Sequence, residues 1–150
     1  MAVSLFQSAI YEAQFGDAEL SEIFSDRAEA ARMVRFERAL AQVEGELGVI
    51  PQASGQAIFD GLTDASMDLA ALSNGVMSSG VAVPALVSEL RSQLDPEHGQ
   101  YLHWGATSQD VVDTAMTLAV ANASINWRNR SSTTSRASAT AKDMAVSTTS

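Results

Sequence analysis

The stretch from Tyr101 to Ala115 reads YLHWGATSQDVVDTA and gathers most of the residues able to do chemistry in this chain. His103 carries an imidazole, which can polarise a bound group or move a proton. Gly105 lets the backbone bend tightly or approach a ligand closely. Thr107, Ser108 and Gln109 stand at the expected start of a helix, where unpaired N–H groups and the helix dipole favour a carboxylate or phosphate. Their hydroxyls and amide can orient an anion without carrying charge. A plainer reading uses the same residues. Thr107 or Ser108 is then an N-cap, Asp110 and Asp113 are first-turn acids, and His103 and Trp104 are packing residues. Caps are common, so spacing alone favours the plainer reading.

The elements that must position these residues are helical, and the pattern predicts an all-α fold. A helix is expected from Asp26 to Leu47, with Asp26 and Glu29 forming a capping box. Met33, Phe36, Leu40, Val43 and Leu47 make one apolar stripe. Arg32, Arg35, Glu37, Arg38, Glu44 and Glu46 fill much of the remaining surface, and Gly48 and Pro51 end the helix. Shorter helices are expected over Gln52–Leu62 and Ala65–Leu72, then a loop over Ser73–Pro84. Pro84 suits the first turn of another helix, with Leu86, Val87, Leu90 and Leu94 on its buried side and a stop near Asp95–Pro96. The last helix starts at Thr107 or Ser108 and carries Val111, Val112, Ala115, Leu118 and Ala119. Alternating β-branched runs are few, so strand signals are poor. His98, in the run DPEHG, reads as a solvated loop residue.

At 150 residues and 46% apolar composition the chain can bury a core. Cysteine is absent, which removes disulfides and thiolate metal sites and suits a cytoplasmic protein. The first ten residues lack the basic start of a signal peptide, and no apolar run is long enough to span a membrane. A net charge of −9 argues against nucleic acid as a partner. The charge is uneven: residues 1–123 hold five arginines against seventeen acids, whereas residues 124–150 hold four cations against one acid.

The run from Tyr101 to Ala115 resembles the first signature region of the fumarase/aspartase superfamily. Ile23 to Pro51, IFSDRAEAARMVRFERALAQVEGELGVIP, is similar to that superfamily's 3-carboxy-cis,cis-muconate cycloisomerase branch. The resemblance covers about residues 15 to 123. It implies the N-terminal helical domain of the fumarase/aspartase-type lyase fold, truncated before the long central helix bundle is complete. It also implies reversible closure of 3-carboxy-cis,cis-muconate to 4-carboxymuconolactone, within the β-ketoadipate pathway. On the matching positions His103 would polarise or position the reacting carboxylate, and Thr107, Ser108 and Gln109 would hold carboxylate oxygens. Asp110 and Asp113 would fix the turn. The resemblance implies no metal or organic cofactor, a small polycarboxylate substrate and a homotetramer whose subunits share each site. Taken alone, the chain is expected to be inactive, with no cation near His103 and with apolar surface that drives self-association.

Adenylosuccinate lyase is the nearest alternative. That family usually carries an Arg-Tyr-Ser-Arg run where Gln14–Asp17 stands, and an Arg-His-Asp run in the loop placed at Ser78–Val83. Neither run is present. A non-catalytic helical interaction module is a third reading. Residues 124–150 contain twelve Ser or Thr, which compete with helical hydrogen bonding. Two readings suit this atypical segment: a disordered or tag-like tail, or a reading-frame change after about Ala123. The gene sequence downstream of codon 123 distinguishes them.

Overall fold

The computed structural model describes residues 10–147, with side chains described through residue 132. Eight helices follow one another among the described residues, and no strand occurs there. They are α1 (Glu12–Phe15), α2 (Ala18–Ile23), α3 (Asp26–Glu46), α4 (Gln52–Gly61), α5 (Leu69–Ser79), α6 (Val83–Ser92), α7 (Pro96–Gly99) and α8 (Ser108–Ser147). No helix among the described residues is long and apolar enough to cross a membrane.

Helix α3 is the spine, packed on α4 along one side and on α8 along another. Its cap lies one residue before the expected position. Ser25 has extended backbone, and its Oγ accepts a hydrogen bond from the Ala28 amide at 3.2 Å, so Asp26 is the first helical residue. Its buried face also differs from the apolar stripe. Ala30, Met33, Val34, Glu37, Ala41 and Gly45 are buried, whereas Val43 and Leu47 are exposed. The buried residues repeat every three or four positions and share one narrow face. Small residues occupy its C-terminal half because α4 comes very close there. A Cβ on Gly55 would stand 2.5 Å from the Ala41 carbonyl oxygen and 3.0 Å from the Gly45 Cα. Val43 and Leu47, in that half of α3, are thereby turned outward.

The segment after α4 departs further from expectation. Helix is absent from 65–68, and the expected loop over Ser73–Pro84 is mostly α5. Asp68 caps this helix through the Ala70 amide at 2.8 Å. Asn74 and Gly75 lie inside it rather than ending it. A Cβ on Gly75 would fall 2.2 Å from the Ala85 Cβ, so this glycine permits contact with α6. Gly80, at φ 79°, supplies the left-handed C-cap. Helix α6 carries Pro84 in its first turn and buries Leu86, Val87 and Leu90 as expected; Val83 joins them, whereas Leu94 lies beyond the helix end at Ser92 and is only partly buried.

Helix α8 buries Val111, Ala115 and Ala119 and passes Ala123 without a break. Ser124 and Ser132 turn their hydroxyls onto the carbonyls of Val120 and Asn129, both at 2.8 Å, so their side chains are satisfied without opening the backbone ladder. Arg130 pairs with Asp17 and Glu19 beside α2. Met116, Val120, Ile125 and Trp127 remain exposed. The frame-change and tail readings fall partly on residues 133–150, whose side chains lie outside the described residues.

The close approach of α3 and α4 predicts that Gly55→Ala costs more than Gly48→Ala. At Gly48, φ is 72° and no atom lies within 4 Å of a built Cβ, so only backbone strain of about 1 kcal/mol is expected. At Gly55 the helices must separate, costing at least about 2 kcal/mol. Urea unfolding of both variants checks this; equal midpoints would contradict it.

Candidate active site

The site begins with a backbone irregularity. Residues 101–105 form successive turns after α7, and His103 has φ 63°, the sole left-handed non-glycine among the described residues. Gly105 follows at φ 68°. A left-handed histidine is uncommon and mildly strained, so its surroundings must hold it there. The holding contact is visible. His103 Nδ1 lies 2.7 Å from Oε1 of Glu37, which projects from the middle of α3 and has 0% exposure. Glu37 was expected on the solvated side of α3; it instead occupies the centre of the buried face.

Burial pushes the Glu37 carboxyl above its ordinary value, while the His103 ring and the Arg91 guanidinium act in the opposite direction. Its second oxygen, Oε2, is buried without a hydrogen-bond partner. Such an atom is costly unless it is charged beside a cation or waits for a donor. Glu44, two turns further along α3, also faces this region. Its carboxyl is raised by burial and lowered by His103, and its Oε2 is buried without a partner.

His103 opens onto a cleft of about 350 Å³ bounded by Val83, Pro84, Val87, Ser88, Arg91 and Ser108. The expectation of no cation near His103 is therefore corrected. Arg91, on α6, reaches this cleft and donates from Nη2 to the Leu102 carbonyl at 2.9 Å, which also ties down the turn. Sequence distance hid the arrangement, since Glu37, Arg91 and His103 come from α3, α6 and the turn before α8.

The three residues at the start of α8 are not equivalent. Thr107 and Asp110 form a reciprocal cap. The Thr107 amide and hydroxyl both donate to Asp110 Oδ2 at 2.8 Å, which lowers the Asp110 carboxyl from its ordinary value. Gln109 donates its side-chain amide to Asp113 one turn along. Ser108 alone of the three shares the cleft with His103. Trp104 is half exposed, with its ring tilted against Tyr101 at 5.8 Å. His98 lies elsewhere and is not a solvated loop residue. It is half buried, and its Nδ1 is 3.1 Å from Oγ of buried Ser54 on α4.

A partly enclosed imidazole backed by a buried carboxylate, with one guanidinium and one helix-start hydroxyl on the same cleft, can exchange a proton with an anionic ligand and orient it. Comparisons with known proteins bear on which ligand. No protein-family model matches the chain. The 3-carboxy-cis,cis-muconate cycloisomerase of Acinetobacter baylyi is 37% identical over 116 residues, covering 74% of this chain and 26% of the relative. An adenylosuccinate lyase of Methanothermobacter thermautotrophicus is 33% identical over 107 residues, covering 71% and 24%. The crystal structure of a β-carboxy-cis,cis-muconate cycloisomerase from Acinetobacter calcoaceticus matches with a TM-score of 0.72 at 37% identity, covering 76% of this chain and 28% of that one. The chain thus spans about a quarter of the length of the curated relatives it matches. In sequence and in helical fold, it belongs to the fumarase/aspartase-type lyase superfamily, where its similarities include the 3-carboxy-cis,cis-muconate cycloisomerases.

Proposed function

We propose that the chain is the N-terminal portion of a cycloisomerase that interconverts 3-carboxy-cis,cis-muconate and 4-carboxymuconolactone. In the forward direction a carboxylate oxygen of the substrate adds to the alkene, a C–O bond forms, and the neighbouring carbon takes a proton. His103 positions and polarises the reacting carboxylate. Ser108 holds a carboxylate oxygen at the start of α8, with Thr107 and Gln109 joining once their present partners, Asp110 and Asp113, are exchanged for substrate. The full enzyme acts in the β-ketoadipate pathway as a cytoplasmic homotetramer, and the chain alone is inactive.

The observation that carries this reading is the His103–Glu37 pair at the mouth of a cleft that also holds Arg91 and Ser108. With Glu37 ionised, His103 Nδ1 carries the proton shared with it. Nε2 is then the nitrogen left to meet a ligand. One guanidinium cannot balance a substrate with three carboxylates, so further cations come from chain beyond this segment. The match to an adenylosuccinate lyase favours a second reading, a C–N lyase acting on a nucleotide. Against it, Asp17 stands where that family usually places an arginine for the phosphate, and it faces Arg130 in an intramolecular pair. The exposed apolar residues of α3 and α8 suit the third reading, a non-catalytic interaction module, equally well.

Loss of muconate diene absorbance tests the proposal, with the chain alone and with an added C-terminal remainder of a cycloisomerase. Turnover is expected only on complementation, and His103→Asn should lower it by at least about 100-fold. Silence in both conditions would leave the interaction module. Unaltered turnover in His103→Asn would remove this residue from the mechanism.

A second prediction follows from the raised Glu37 carboxyl. The native state holds this proton more tightly than the unfolded chain does. The associated stability is complete below the ordinary value of 4.5 and is lost as pH rises through the higher native value. The stability of the parent relative to Glu37→Gln should therefore decline as pH rises above 4.5. Urea midpoints across that range give the difference; a constant or rising one would contradict it.

A further inference from the structure

A second cleft, of about 390 Å³, lies between α3 and the connection from α4 to α5. Arg27, Arg35 and Arg38 line it, together with the hydroxyl-bearing Thr63 and Ser66 and the apolar Ala31, Val34 and Leu62. This concentration is unexpected in a chain of net charge −9, whose first 123 residues contain only five cations. No carboxylate lines the cleft. Nearby acids have other bonds: Asp60 accepts from Gln56, and Asp68 caps α5. Asp64 is exposed beside Thr63 but does not line the cleft.

The helix surface does not neutralise these arginines either. Positions three and four residues from Arg27, Arg35 and Arg38 hold no acid, and Arg35 and Arg38 are themselves three apart. Among the described residues, none of the three makes an ion pair. Arg38 is fixed in place: Nε donates to the Phe59 carbonyl at 2.9 Å and Nη2 to Thr63 Oγ1 at 2.8 Å. Its guanidinium also sits 4.4 Å from the centre of the Phe59 ring. An arginine held by neutral acceptors and an aromatic face keeps its charge available to a ligand.

We propose that this cleft binds a small organic polyanion, a molecule with at least two carboxylate or phosphate groups. One group meets Arg35 and Arg38, and another meets Arg27, whose Cα lies roughly 12 to 16 Å further along the α3 axis. The three arginines line the same cleft, and the Ser66 hydroxyl supplies a neutral donor. The volume suits a small ligand rather than a single inorganic ion. The site is separate from the His103 cleft, with which it shares no lining residue.

Calorimetric titration of the full chain with citrate and, separately, with pyrophosphate tests the proposal. Saturable one-to-one binding of either probe is expected, weakening as salt is raised. The tighter probe assigns carboxylate or phosphate chemistry. Arg27→Gln and Arg35→Gln, which remove no hydrogen bond of the fold, should each weaken binding by at least about tenfold. His103→Asn should leave it unchanged, which separates this site from the proposed active site. Absence of saturable binding by both probes, insensitivity to the two arginine variants, or loss in His103→Asn would overturn the proposal.

Discussion

A carboxyl group with no solvent exposure, in the middle of the longest fully described helix, is the constraint on which the rest of the site depends. Glu37 cannot be buried unanswered, because an unpaired charge there would outweigh much of the hydrophobic gain around it. The answer comes from a residue 66 positions away, the His103 imidazole. That bond requires the turn after α7 to bring the ring inward, which accounts for the left-handed backbone at His103 and again at Gly105. It also fixes where α8 can begin, since Ser108 follows only five residues later.

Packing around the pair has the same organisation. Helix α3 presents Ala41 and Gly45 to α4, and α8 buries Ala115 and Ala119 beyond Val111. Small side chains there let helices approach closely, while Met33, Leu86, Leu90, Leu102 and Val111 supply bulk near the polar pair. Arg91 crosses from α6 to hold the Leu102 carbonyl and adds positive charge beside Glu37. Histidine, carboxylate and guanidinium thus reinforce one another. The exposed Val43 and Leu47 on α3, and Met116, Val120 and Trp127 on α8, are apolar faces that these helices leave uncovered among the described residues.

Much of the helix pattern was legible in the residues. α3, α4, α6 and the start of α8 follow from spacing, caps and proline placement. Failures arose where glycine served proximity rather than a turn. Gly75, inside the expected loop, instead admits Ala85, and Gly55 lets α4 press against the α3 backbone. That close contact also explains why the end of the apolar stripe misled: Val43 and Leu47 point outward because Ala41 and Gly45 face the neighbour. Glu37 was missed for a different reason: a charged side chain reads as solvated until its partner, His103, is brought to it by the fold. A usable signal existed, since a lone acid falls at the helical spacing of the face made by Ala30, Met33, Val34, Ala41 and Gly45. His103 and the Thr107–Gln109 helix start stood out by residue type. Arg91 and Glu37 become their neighbours only through tertiary folding.

Nitrogen and proton NMR of the His103 ring tests the central claim most directly. A buried bond to Glu37 predicts a proton on Nδ1 that exchanges slowly with water and becomes fast-exchanging in Glu37→Ala. A ring that exchanges freely in the parent chain, with its proton mainly on Nε2 as in unpaired imidazole, would contradict the account.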